Sequence, residues 1–431
     1  MPPRFKWLPV AIPIVIAAAA FAFHVSLEFN LDEVHGFDEF NTFFGADPNM
    51  VIRALSEGAG RQHISHPNLP HFFSLPLKGI SKVLWAGRTG MEQLLIRWRL
   101  AMFIVPLAAA LQCFVAFRVF VRLGFRVASA ALLTLLGCVS FSQMVFGSMP
   151  ESFALSGLAI TLAYLLALQF ERIRGRARNG RWIALGIFGT GITITNIFPV
   201  ALLYGVWQRR RGANAPTVLR RVAVGAAVVF VGVFAIRGGV NALLDPQSGT
   251  FTGGEYVTKF LVPDPGRHAM MFPSAIINGL TPSKGVWALR NGLWLPRKRG
   301  YPYKFTMQTP RFLSVRNLTG VGLIALVLAA LFRLRRARHP AWPYCLASMV
   351  ILAVNWALHS VWGEEQFLYS QHWQFPLLVL IAGLFLAFER LRRVEVPVLA
   401  VAVLYVGITN TIALRRIVSV MEVWFANSAS G

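Results

Sequence analysis

Cysteine is almost missing from this chain: three in 431 residues, Cys113, Cys138 and Cys345, each inside an apolar run. Three scattered thiols make neither a disulfide framework nor a metal-binding spacing, which leaves them as packing residues. Charge is scarce as well. Asp, Glu, Lys and Arg make up 14% of the residues, against roughly 25% in a soluble domain. Acid is scarcest of all, with 18 Asp and Glu against 42 Lys and Arg. No glycine-rich phosphate loop, no GxGxxG after a strand and no Ser-His-Asp order is found. Cytoplasmic nucleotide chemistry has no home here. No internal repeat or low-complexity tract stands out either.

What is abundant is grease. The chain is 55% hydrophobic, its mean hydropathy is +0.56, and several unbroken apolar runs reach the length of about 20 residues that spans a bilayer. This predicts an all-α polytopic membrane protein. Candidate spans are 7–27, 98–120, 127–147, 152–170, 183–207, 222–240, 318–333, 342–361, 373–389 and 396–414. A net charge of +24 in a soluble protein would point to nucleic acid. Here the arginines cluster at helix ends, which reads as topology and contact with anionic lipid, with no nucleic-acid partner. The first run follows MPPRFK without a small-residue cleavage site and reads as a retained signal anchor.

Basic clusters set the orientation. Arg4 and Lys6 precede the first span, Arg118, Arg122 and Arg126 link the second and third, and Arg172 to Arg181 follow the fourth. The positive-inside rule puts these, and the N-terminus, in the cytoplasm. The fifth run has Arg181 before it and Arg209, Arg210 and Arg211 after it. A single crossing would put every later basic cluster outside. A helical hairpin broken near 193–196 and Pro199 restores the rule, giving about ten or eleven transmembrane helices. Irregular backbone at membrane depth is tolerated where protein covers it. Three units follow: residues 1–240, an N-terminal membrane module; 241–317, a basic and aromatic external loop; and 318–431, the C-terminal helices. Two large loops, 28–97 and 241–317, then face out with short amphipathic helices, and fourteen of the eighteen acids lie on that side.

The first loop concentrates chemistry. It holds Asp32, Glu33, Asp38, Glu39, Asp47 and Glu57, with His35, His63, His66 and His71. Carboxylates beside a bilayer are costly to desolvate and useful as bases. ADPNMVIRALSEG reads as a short helix with Asp47 at its start and Pro48 at the first helical position, so a capping role competes with a catalytic one for Asp47. His63, His66 and His71 lack the i, i+4 spacing of a helical zinc site, and neither metal nor cofactor is assigned to them.

FFGADPNMVI followed by SHPNLPHFFSLPL, then RWRLAMFIVPLAAAL opening the second span and the broken fifth run, is similar to the pattern of integral-membrane C-type (GT-C) glycosyltransferases. The resemblance is to bacterial members that use polyprenyl-phosphate sugars, in the manner of glycosyltransferase families 39 and 83, and is best over the N-terminal half. It implies a polyprenyl-phosphate-linked sugar as donor. The acceptor would be an envelope glycan or lipid, met on the external face of a bacterial inner membrane. Asp47 would be the general base of an inverting displacement, and His66 would orient the acceptor or contact the donor phosphate. Asp38 and Glu39 are rival acids.

A phosphate leaving group needs positive charge nearby. Arg53 and His63 in the first loop, and Lys259, Arg267, Lys284, Arg290 and Arg297 in the second, are candidates, each with anionic headgroups as the plainer partner. The late turn WGEEQFLYSQHW adds Glu365, Tyr369 and His372, or else anchors the interface through its aromatics. Glu151, opening the fourth span, faces the cavity or is merely a helix N-terminal charge. Two other readings stand behind the transferase. An O-antigen polymerase or ligase would not need the acidic first loop, and a lipid or solute transporter would carry charges within its spans.

Overall fold

The structure, a computed structural model, describes residues 8–33, 37, 44, 46–57, 66–169, 177–244, 261–262, 264–282, 287–289, 303–305, 307, 313–363 and 366–429. Helix α1 (Leu8–Glu33) has 26 residues, about 39 Å of helix against a hydrocarbon core of about 30 Å. Among the described residues six helices are long and apolar enough to cross a membrane, and three further apolar helices are shorter. This is an all-α, multi-pass membrane protein.

After α1 the chain builds a helical platform. Helix α2 (Pro48–Glu57) buries Val51, Ile52 and Leu55, one face at helical spacing, against α3 (Leu69–Leu84) and α4 (Gly90–Met102). Thr89 and Glu92 close a reciprocal capping box at the start of α4. Only Phe103 separates α4 from α5 (Ile104–Arg122), so the second expected span is the end of a 33-residue helical run.

The expected third span, 127–147, is not one helix. It divides into α6 (Val127–Cys138) and a short α7 (Phe141–Phe146). Ser140 makes the break: its backbone is extended, its hydroxyl accepts from the Gln143 N–H at 3.4 Å and donates to the Gly137 carbonyl at 2.6 Å. A side chain that serves both flanking turns stabilises a kink within an apolar run.

Helix α8 (Ser152–Leu168) is the axis of the bundle. Ala154, Ala159, Ile160, Ala163, Tyr164 and Ala167 are fully buried. Its small residues let α5 approach closely, as suits helix packing in lipid.

The fifth run turns back on itself. Helix α9 (Ala177–Ile192) leads through a 3-10 turn (Ile194–Asn196) into α10 (Ile197–Arg210). Trp182 near the start of α9 lies 5.5 Å from Tyr204 and 6.1 Å from Trp207 near the end of α10, ring centre to ring centre. A straight helix would separate Trp182 and Trp207 by about 37 Å. The Asn196 amide donates to the Gly189 carbonyl and to Ser156 Oγ, both at 3.0 Å, and so ties the turn to α9 and α8.

Helix α11 (Ala215–Leu244) packs along this hairpin. Helix α12 (Pro265–Leu280) begins at Asp264, whose carboxylate accepts the Arg267 N–H at 3.0 Å. Strands β1 (Trp287–Leu289) and β2 (Tyr303–Phe305) pair antiparallel, with Trp287 opposite Phe305. The Phe305 carbonyl accepts the Phe44 N–H at 2.7 Å, which ties the second large loop to the first. The chain ends with α13 (Val315–Arg336), α14 (Trp342–Val361), a 3-10 turn (Gln366–Tyr369), α15 (Gln371–Ala387), α16 (Glu389–Arg393) and α17 (Glu395–Ala429). Helices α8 and α15 are the buried heart. The long apolar faces of α11 and α17 stay uncovered, as lipid-facing helices do.

Candidate functional site

Separate stretches of sequence meet at the first turn of α8. Glu151 stands at its N-cap, buried. One carboxylate oxygen accepts the Ser152 N–H at 2.9 Å, and the other accepts the Asp47 N–H at 2.9 Å. Asp47 is half-buried at the start of α2, where its carbonyl accepts the Val51 N–H at 3.2 Å. The expected helix-start position of Asp47 is therefore found, and its backbone is pinned by a second acid 104 residues away.

Burial pushes the Glu151 carboxyl up to about 7, because desolvation outweighs the two N–H donors that favour the ion; the neighbouring Asp47 charge adds to the rise. The Glu151 carboxyl and the residue whose N–H it accepts, Asp47, thus sit in unlike environments, the first buried and titrating near neutrality, the second partly open to solvent. Such pairing of environments is how acid and base roles become separated.

The next residues of α8 reach the histidines. Phe153 touches Tyr369 and His372, with ring centres 6.0 and 5.9 Å away. Tyr369 stacks on His359 at 4.0 Å and 15°. Gly363 makes the stack possible: its φ is +94°, and a Cβ there would lie 2.5 Å from the Tyr369 ring. His359 Nδ1 lies 3.3 Å from the Trp362 carbonyl, while the buried Nε2 atoms of His359 and His372 meet no hydrogen-bond partner among the described residues. One turn further along α8, Ser156 Oγ is 2.9 Å from Thr193 Oγ1. His66 Nδ1 is 2.8 Å from the Ile192 carbonyl and 3.5 Å from that same threonine hydroxyl. His66 and His359 are also the titratable neighbours whose electrostatic influence reaches His372.

Four of the candidates named from sequence, Asp47, His66, Tyr369 and His372, are thus joined to the first two turns of α8 by contacts through Glu151, Phe153 and Ser156. Others sit apart. Arg53 lies on the exposed side of α2 and pairs with Glu57 at 3.7 Å. Arg267 is exposed in the first turn of α12. Beside it, His268 turns inward to the His359 carbonyl, and burial lowers its pKa. Asp38, Glu39, His63, Lys259, Lys284, Arg290, Arg297 and Glu365 lie outside the described residues. Among the described residues no group of three His, Cys, Asp or Glu is placed to hold a metal ion.

One participant, His359, escapes a sequence reading, and Glu151 is named in it without its partner. Glu151 carried a weak signal, an acid at the mouth of an apolar run, but nothing tied it to Asp47. His359 sits in WALHSVWG as an ordinary histidine at a helix end. A polar seam continues below them: Gln371 donates to Ser142 Oγ at 2.9 Å, and Ser142 Oγ lies 2.5 Å from Ser370 Oγ. Carboxyl groups and imidazoles grouped this way can accept protons from hydroxyls and donate to anionic oxygens. Comparison with family models, curated proteins and solved structures returned no match.

Proposed function

We propose that the chain is an integral-membrane glycosyltransferase of the GT-C kind. It transfers a sugar from a polyprenyl-phosphate donor to an envelope glycan or lipid on the external face of a bacterial inner membrane. The observation that supports this best is the Asp47–Glu151 contact, because it pins the backbone of one first-loop acid to a second acid that titrates near 7. Asp47 takes the proton of the acceptor hydroxyl. The acceptor oxygen attacks the anomeric carbon opposite the phosphate, the bond from that carbon to the phosphate oxygen breaks, and polyprenyl phosphate leaves with the electron pair. One displacement inverts the configuration. His66, His372 and Tyr369 supply donors toward acceptor and phosphate, and Glu151 holds Asp47 in position. The α9–α10 hairpin keeps both its ends cytoplasmic, giving ten or eleven membrane helices and an outward-facing site.

Sugar transfer from a polyprenyl-phosphate donor in proteoliposomes tests this. Asp47→Asn is expected to lower turnover by about 10²–10⁴-fold, the range of a general base, and His66→Ala to lower it less. Full activity in the Asp47 variant rejects the assignment and moves the base to another first-loop acid. No transfer from any polyprenyl-phosphate sugar by the unaltered protein rejects the reaction class.

A further inference from the structure

At the other end of the hairpin, α9, α10 and α11 enclose a groove of about 650 Å³, within the size range of about 300–1,000 Å³ typical of ligand sites. Its walls are apolar: Ile183, Ile197, Val200, Val222 and Val229 line it. Glycines seat the helices at its margins. Gly186 and Gly232 of α9 and α11 let Val229 and Ile187 approach to 2.5 and 2.7 Å of where a Cβ would be, and Gly205 does the same more loosely against Val222.

The mouth is cationic. Arg211, Arg220 and Arg221 line it together with Gln208. Arg221 is held by Gln208 Oε1 at 2.8 Å, and the Arg211 guanidinium lies 4.8 Å from the Trp207 ring centre. These contacts aim the side chains without neutralising them. Among the described residues neither Asp nor Glu lines the groove. The sequence is as one-sided: residues 172–244 hold eleven arginines and no acid at all. Counter-charge must come from outside this segment.

We propose that this groove binds an anionic phospholipid of the surrounding bilayer, its phosphate at Arg211 and Arg220 and an acyl chain along Val200, Val222 and Val229. Charge complementarity selects the headgroup, because a basic pocket between membrane helices is worth about 1 kcal/mol per arginine toward anionic lipid. The apolar walls select a ligand with a chain, and exclude a soluble anion as the natural occupant. The site is independent of the sugar-transfer reading, since it shares no residue with the acidic end.

The test uses the full-length protein in detergent, titrated with phosphatidylglycerol or phosphatidylcholine and followed by thermal denaturation, with co-purified lipid identified by mass spectrometry. Phosphatidylglycerol is expected to stabilise at lower concentration than phosphatidylcholine. Arg211→Ala with Arg220→Ala is expected to weaken the response to phosphatidylglycerol about thirtyfold. Ala226→Phe, which fills the groove and spares the arginines, should remove the retained lipid. Arg335→Ala with Arg336→Ala, exposed at the end of α13 and away from the groove, serves as control and should change nothing. An unaltered response in the Arg211/Arg220 variant overturns the proposal, as does an equal loss in the control. Recovery of a polyprenyl phosphate in place of phospholipid, lost on Ala226→Phe, overturns the choice of occupant.

Discussion

The two ends of α8 solve opposite problems. At one end Glu151, His359 and His372 are buried, and their charges can be set aside by gaining or losing a proton. At the other, about 25 Å away along a helix of this length, the Ala167 carbonyl accepts the Tyr344 hydroxyl at 3.1 Å, and Arg210 donates to that hydroxyl at 3.1 Å. Beside it Arg209, Arg211, Arg220 and Arg221 stay exposed and permanently charged. Titratable groups held in a dry wall suit proton transfer, whereas fixed cations at an open mouth suit the steady attraction of an anion. The same hairpin supplies both ends: its turn carries Thr193 to His66, and its open ends carry the arginines to the groove.

The largest effect that sharpens this contrast is a crossed loss. Asp47→Asn should abolish nearly all turnover, about 10³-fold, and leave retention of phosphatidylglycerol intact. Arg211→Ala with Arg220→Ala should do the reverse, with activity assayed at saturating lipid. If each variant damages both properties, the two ends are coupled and the division is wrong.

Next in size is a pH effect confined to the acidic end. Glu151 keeps its proton in the folded protein up to about 7, while in the unfolded chain a Glu loses it near 4.3. Between these values the folded state binds more protons, so stability falls as pH rises through the window and levels off above it. A shift of this size corresponds to about 3 kcal/mol for so buried a group. Thermal denaturation of both proteins in detergent from pH 4.5 to 8 should show the decline in the stability of the parent relative to Glu151→Gln, a difference in which the titration of other buried groups cancels. A difference that rises over the same range contradicts the buried-acid reading.

The contrast also marks what a sequence can disclose. Hydropathy exposes α1, α5, α11 and α14 because each is apolar for long enough. The hairpin is legible because arginines flank 183–207 on both sides and Asn196 interrupts the run. Asp47 is legible as a helix start from the local text ADPN. The kink at Ser140 is hidden, since one serine in an apolar stretch is ordinary until its hydroxyl is seen serving both turns. Glu151 is legible as an acid opening a span, but its partner is hidden: it accepts the Asp47 N–H, 104 residues away, and no local pattern encodes a tertiary contact. Exposure of Arg53 is likewise invisible, because only the packing of α2 decides which of its faces is covered.

A smaller effect probes the stack that shapes the histidine side of the acidic end. Gly363→Ala places a methyl group at positive φ and against the Tyr369 ring. Strain of this kind costs about 1–3 kcal/mol, and Tyr369 must leave His359 to relieve it. Sugar transfer should fall about tenfold, within that strain range, while lipid retention at the groove stays as it was. Unchanged transfer would show that the stack is incidental.

The smallest expected effect is also the one that tests the boundary of the site. Arg53 is more than half exposed and its nearest acid, Glu57, is a single turn away on the same face of α2. Exposed pairs of this spacing contribute about 0.3–0.5 kcal/mol, so Arg53→Ala should leave both stability and turnover close to the parent protein. Its sequence position, six residues after Asp47, made it a reasonable phosphate ligand. Its placement on the solvent side argues that the phosphate is met elsewhere, by groups in the wall formed by α8, α14 and α15. If Arg53→Ala instead raises KM for the polyprenyl-phosphate donor several-fold with stability unchanged, the donor lies over α2. The acidic end would then have a fixed cation of its own, and the contrast between the two ends would narrow to one of burial alone.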